Sequence, residues 1–162
     1  MTLSQKILLV ALRLAIGWHF LYEGLVKLVN PNWTSAGYLL DSAGFLKSFY
    51  FNLAANPGTL KVVDFLNIWG LILIGLGLIL GAFTRVAIIS GIVLMAFYYL
   101  SHPPFVGLKY AVPGDGSYLL VNKMVIEALA LGVLLLFPTW KEWGVDRWMG
   151  RGAKGVEHRA LC

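Results

Sequence analysis

Apolar residues gather along this chain into four long runs, at about 6–28, 60–83, 85–101 and 118–137. Each comes near the roughly 20 residues that a helix needs to cross a bilayer. The third run is the shortest, and its helix is expected to begin inside the Thr84-Arg85 turn. Lipid offers no hydrogen bonds to a bare backbone, so runs of this kind satisfy themselves as helices. The pattern predicts an all-α membrane protein, with four transmembrane helices in an antiparallel bundle and a single domain over residues 1–162. The connection between the second and third runs is short, which makes those two antiparallel neighbours.

The segment 29–59 joins the first two runs and is long for a plain connector. Its polar and apolar positions are ordered. Phe45, Leu46, Phe49, Tyr50 and Leu53 recur at the spacing of one helical face. Ser42 is placed to cap that helix, and Asn56-Pro57-Gly58 to end it. The expectation is an amphipathic helix in this outer loop, lying on the membrane surface or folded over the bundle mouth as a lid. Beyond Pro138 comes a basic tail, 138–162, in which Trp140, Trp143 and Trp148 alternate with Lys141, Arg147 and Arg151. Tryptophans and cations so mixed are expected as interface anchors on anionic lipid.

Composition sharpens this picture. Of 162 residues 59% are hydrophobic and 13% charged, about half the usual charged share of ~25%. A water-soluble domain could not hide so much apolar surface, so a cytosolic enzyme, a disordered chain and a disulfide scaffold are all excluded. The single cysteine, Cys162, allows neither an internal disulfide nor a thiolate metal cluster. The net charge of +5 is concentrated in the tail, which points to topology and lipid contact, not to nucleic acid. Lys6, Arg85, Lys141, Arg147, Arg151, Lys154 and Arg159 fall on one side of the predicted membrane. Lys47, Lys61 and Lys109 fall on the other, with Lys27 at its edge. That excess puts both termini in the cytoplasm of a multi-pass protein of the bacterial or archaeal inner membrane.

Ionisable groups inside the spans carry the candidate chemistry, because each needs a partner or a polar cavity. Arg13, His19, Glu23 and Lys27 lie within about a 120° arc of the first helix at ~100° per residue. That face is expected to point into the bundle. The second span adds Asp64 and Asn67, the third Tyr98, Tyr99 and His102, and the fourth Tyr118, Asn122, Lys123 and Glu127. Most of these sit toward the outer end. His19, Glu23 and Glu127 are the candidate catalytic proton carriers. Lys27, Asn67, Tyr98, Tyr99, His102, Asn122 and Lys123 are the candidate substrate-binding groups. Arg13 and Glu127 fall at depths that allow a structural ion pair between the first and fourth helices. The alternative is that all these groups simply pair and lock the bundle. No metal site is expected, and His19 and His102 differ by roughly 6 Å in depth on a 1.5 Å rise, which argues against a haem. Glycines mark close helix contacts: Gly77 and Gly81 with Gly70 on the second span, and Gly17 with Gly24 on the first. The pattern leaves open whether these pack within one chain or between copies, and so leaves open a homo-oligomer.

Four stretches carry a family resemblance: GWHFLYEGLVKLVNPNWTSAGYLLDSAGF at 17–45, LNIWGLILIGLGLILGAFTRVA at 66–87, YYLSHPPF at 98–105 and GSYLLVNKMVIEALAL at 116–131. In these the chain resembles the DoxX family, and more narrowly its DoxD-type branch, the small membrane subunit of thiosulfate:quinone oxidoreductase. Glu23, Gly24 and Lys27 match one element of that pattern, and Asn122, Lys123 and Glu127 another. The resemblance implies a four-helix membrane protein that passes electrons from thiosulfate to quinone, with quinone as bound ligand or substrate and a second oxidoreductase subunit as partner. Two other readings stand beside it. One is a non-enzymatic membrane organiser that anchors partner proteins. The other is a small transporter for an acid or an anion.

Overall fold

The computed structural model describes residues 1–105, 107–108, 110–111 and 119–148. These are helical, with no strand among the described residues. Helix α1 spans Leu3–Val29, α2 Ala36–Leu40, α3 Lys47–Ala55, α4 Pro57–Leu80, α5 Thr84–Ser101 and α6 Lys123–Leu136. A 3-10 turn follows at Thr139–Lys141. Among the described residues three helices, α1, α4 and α5, are long and apolar enough to cross a membrane.

Local chemistry explains the helix ends. Thr2 opens α1 with a capping box, its hydroxyl accepting from the Gln5 backbone while the Gln5 side chain accepts from the Thr2 backbone. Asn56 caps α4 by accepting from the Gly58 and Thr59 backbones, with Pro57 in the first turn where no N–H is needed. This Asn-Pro-Gly run therefore starts the second long helix as well as ending α3. At the other end Gly81 takes the left-handed conformation, φ 67°, that stops α4.

Helix α6 departs from expectation. It begins at Lys123, about five residues later than the apolar run suggests, because the Asn122 side chain caps it by accepting from the Val125 backbone at 3.2 Å. Its 14 residues reach about 21 Å at 1.5 Å per residue. The expected Ser42 cap of the outer-loop helix is also absent. Helix α3 starts at Lys47, with Leu46 at its N-cap and no side-chain cap, and the Ser42 hydroxyl is buried with no partner among the described residues. The loop's apolar stripe divides: Tyr50 is buried, and its hydroxyl donates to the Phe97 carbonyl at 2.8 Å, while Phe45 and Phe49 stay exposed.

Helix α1 packs along α4, α4 against α5, and α5 against α6, while α1 meets α6 only sparsely. The core between them is built on Ile16, Phe20, Leu78, Ile88, Leu131 and Leu134. The α1–α4 contact is the tightest. A Cβ built on Gly75 would lie 2.5 Å from the Leu21 backbone nitrogen and 2.7 Å from the Gly17 carbonyl oxygen. Gly17 and Gly24 supply the matching gaps on α1. The expected Gly77/Gly81 pair with Gly70 is thus replaced by Gly75: Gly70 has nothing within 4 Å, Gly77 faces Ala87, and Gly81 ends the helix.

The segment after α6 folds back under this end. Trp140 is buried in the core rather than placed at an interface, whereas Trp143 and Trp148 are exposed. Lys6 pairs with Glu142. The Asp146 carboxylate accepts from the Phe83 and Thr84 backbones at 2.7 and 3.0 Å, capping α5 from a distant part of the chain. Arg13, 3% exposed, donates to the Trp143 carbonyl at 2.8 Å.

Gly75→Ala is expected to destabilise the protein by several kcal/mol, since it meets two backbone atoms and the Leu21 Cβ, none of which can yield without moving a helix. Gly70→Ala, in open space, is expected to be neutral or to stabilise by about 0.5–1 kcal/mol through helix propensity. Thermal unfolding of both variants in one detergent checks this; similar melting points for the two would remove Gly75 as the contact.

Candidate functional site

The stripe His19, Glu23, Lys27 runs up α1 at four-residue steps, so one face of that helix carries all three. Because Gly17 and Gly24 bind the neighbouring face to α4, the stripe is turned toward the gap between α1 and α6. A cavity of about 450 Å³ opens there. Its floor is apolar, formed by Phe20, Leu71, Met95 and Met124. Phe20 is 0% exposed and Leu71 2%. Its polar groups are His19, Glu23 and Lys27 from α1, Asn67 from α4, Tyr98 from α5, and Lys123 with Glu127 from α6. His19, Glu23 and Lys123 lie at the exposed rim. The face expected to point wholly inward is therefore only partly enclosed.

Residues 33–38 roof the cavity. Trp33, Thr34, Ser35 and Tyr38 line it from above. Asp64 pins this roof to α4. Its carboxylate accepts from the Ser35 backbone at 2.8 Å, from the Thr34 hydroxyl at 2.9 Å and from the Ser35 hydroxyl. The covering residues come from α2 and the segment before it, whereas the amphipathic α3 contributes none of the lining.

On the wall, Lys27 donates to Asn67 at 3.1 Å and lies 3.9 Å from Glu23. Its ammonium stands 5.2 Å from the Trp33 ring centroid and 5.7 Å from that of Tyr98, within cation–π range. Asn67 donates in turn to the Tyr98 hydroxyl at 2.6 Å.

Behind the roof, at the end of α5, His102 stacks on Tyr38 with ring centroids 3.9 Å apart and meets Tyr110 at 4.6 Å. Its Nδ1 is 3.0 Å from the Ser101 hydroxyl, and its Nε2 is 3.7 Å from Asp41. Burial holds the imidazole below its ordinary pKa, and Asp41 opposes this only in part. Burial likewise pushes the Tyr38 phenol above its usual range, with smaller contributions from Tyr98, Tyr50 and Tyr110. Tyr38 therefore stays neutral, and its hydroxyl donates to the Tyr98 carbonyl at 3.3 Å.

The structure thus brings His19, Glu23, Lys27, Asn67, Tyr98, Lys123 and Glu127 around one cavity. It keeps Tyr99, His102 and Asn122 out of the lining. Tyr99 donates to the Leu120 carbonyl, His102 braces the roof, and Asn122 is consumed as a cap. Arg13 and Glu127 form no ion pair. Arg13 lies beside Gly81 and donates to the carbonyl of Trp143, while the late start of α6 puts Glu127 near the opposite end, facing the roofed cavity. Tyr118 and Cys162 lie outside the described residues. Trp33, Thr34, Ser35 and Tyr38 were not singled out as site residues. Their signal was the hydroxyl pair Thr34-Ser35 in the same chain as an otherwise unpaired intramembrane Asp64. Met95 and Met124 carry no such signal. Among the described residues no group of His, Cys, Asp and Glu could hold a metal ion.

A multi-pass helical membrane protein with a roofed, partly polar cleft is the class these features define. The chain belongs to the DoxX family, whose model matches residues 8–103. The match runs from α1 to just past α5, so Lys123, Met124 and Glu127 come from outside it. No curated protein and no solved structure gives a significant match.

Two outcomes follow. Asp64→Ala removes an acceptor shared by three donors and is expected to cost about 1–3 kcal/mol, read as a lower melting point and faster proteolysis within 30–56. His102 has its folded-state pKa below the unfolded value of about 6.5. Its neutral form therefore stabilises the fold above that pH, and the contribution is lost as pH falls through the folded-state pKa. The drop in melting point between about pH 7.5 and pH 5 is expected to be smaller in His102→Gln than in the parent.

Proposed function

We propose that this protein is the membrane-embedded subunit of a quinone-linked oxidoreductase and that the roofed cavity holds the quinone head group. In this reading four helices, α1, α4, α5 and α6, cross the bacterial or archaeal cell membrane as an antiparallel bundle, with both termini in the cytoplasm. The packing of apolar α6 on α5, followed by Pro138, supports the fourth crossing, and the excess of Lys and Arg at the terminal end supports the orientation.

One observation carries the reading: an apolar floor of Phe20, Leu71, Met95 and Met124 faces a ring of hydrogen-bonding and protonatable groups in the same cavity. A quinone needs both. Its ring and tail partition into lipid, while its carbonyls require donors and, on reduction, two protons. Glu127 and His19 would supply those protons, with Glu23 at the rim. Thiosulfate is the proposed electron donor, two molecules joining as tetrathionate and releasing the two electrons that form the quinol. The donor reaction is placed on a second subunit, in keeping with a DoxD-type role.

Quinone reduction by the protein purified from its native membrane in mild detergent, with and without thiosulfate, tests this. Thiosulfate-dependent reduction is expected, and its absence in every preparation would overturn the reading. Glu127→Gln is expected to lower turnover by about 10²–10⁴ with an unchanged melting point. Retained turnover in a folded variant would remove Glu127 as the proton carrier.

A further inference from the structure

The polar wall of the cavity is ordered in one direction. The Lys27 ammonium has donors only, so Asn67 must turn its Oδ1 toward it. That leaves the Asn67 amide Nδ2 facing Tyr98, and it donates to the phenol oxygen. With its oxygen engaged as acceptor, Tyr98 has its O–H hydrogen left to give. No acceptor among the described residues takes it. The side chain lies on the cavity wall, and its carbonyl is held by the Tyr38 hydroxyl at 3.3 Å and by the His102 backbone at 3.1 Å. Tyr98 is thus a placed donor, oriented by Asn67 and, through it, by Lys27.

Charge narrows what such a donor can hold. Two lysines, Lys27 and Lys123, and the imidazole of His19 line the cavity with two glutamates, Glu23 and Glu127. Glu23 stands beside Lys27, whose ammonium is further occupied by two aromatic faces. Asp64 adds another carboxylate just behind the roof. Three carboxylates thus face two ammonium groups and one imidazole, which leaves no surplus of positive charge, and a dianion moved from water into the cavity would lose its hydration without gaining a counter-charge. An uncharged carbonyl loses far less and finds a donor ready.

We propose that the cavity takes an uncharged ligand whose carbonyl oxygen accepts the Tyr98 hydroxyl hydrogen, and that an oxyanion electron donor does not enter it. The proposal rests on the quinone-linked reading and divides its two substrates. The quinone carbonyl docks on Tyr98 with its ring over the apolar floor, and the sulfur oxyanion reacts on another surface. Lys27 and Asn67 are positioning residues that act through Tyr98.

Titration of the full-length protein in lipid nanodiscs with decylubiquinone, read by quenching of tryptophan fluorescence, provides the test. Trp33→Phe shows how much of the quenching comes from the cavity. Tyr98→Phe, which removes one hydroxyl, is expected to weaken binding about tenfold, the equivalent of 1.4 kcal/mol. Asn67→Ala, which frees the hydroxyl to turn away, is expected to weaken it less, and carries the test should the first variant fail to fold. Millimolar sodium thiosulfate is expected to leave the decylubiquinone affinity unchanged. Unaltered affinity in both variants, or competitive displacement by thiosulfate, overturns this proposal and leaves the quinone reading intact. Absence of decylubiquinone binding by the parent protein overturns both.

Discussion

The architecture depends on how closely α1 and α4 approach. In lipid, apolar side chains gain little by meeting one another, so association relies on contact between backbones. Gly75 lets the α1 backbone come within van der Waals reach along Gly17 and Leu21, and Gly24 repeats the gap one contact higher. This contact fixes the rotation of α1 about its own axis. With the glycine face held on α4, the polar stripe His19, Glu23, Lys27 has one direction left, the gap beside α6. The site is a consequence of where three glycines sit.

Both ends of the helices are then closed by chain segments distant in sequence, through different chemistry. At the terminal end, Asp146 caps α5, Arg13 holds the Trp143 carbonyl, and Trp140 completes the core. At the other end, Asp64 gathers the donors of residues 34 and 35, and the Tyr38–His102 stack ties the roof to α5. Each closure uses a carboxylate to accept from backbone N–H groups that have no partner within their own helix. The cavity is covered by a roof with its own anchoring and is lined by Lys123, Met124 and Glu127 of α6, a helix with which α1 makes few contacts.

Within the cavity, hydrogen-bond direction and charge balance act together. A cation that can only donate sets the orientation of an amide, and the amide sets that of a phenol. The same cation is neutralised locally by Glu23 and by two aromatic faces, so its effect reaches the cavity mainly as hydrogen-bond geometry. In the proposed reading, polar groups arranged in this way would select for shape and acceptor position more than for charge.

Composition and periodicity were enough to establish a helical membrane protein, three helices long and apolar enough to cross a membrane, and a long connection after the first of them. These are local properties: an apolar run, a capping residue or a charge in lipid has much the same meaning in any fold. The DoxX resemblance rested on the same residues, and the family match bears it out. Four features were decided only by tertiary structure: the choice of Gly75 over Gly77, the partner of Arg13, the burial of Trp140 and the roof over the cavity. Each depends on the rotation and axial offset of one helix against another, and several rotations of GLGLILG place a glycine in contact. The late start of α6 has a local cause instead. Hydropathy marks where a chain can be buried, whereas Asn122 marks where its helix begins, and those few residues carried Glu127 away from Arg13 and into the site.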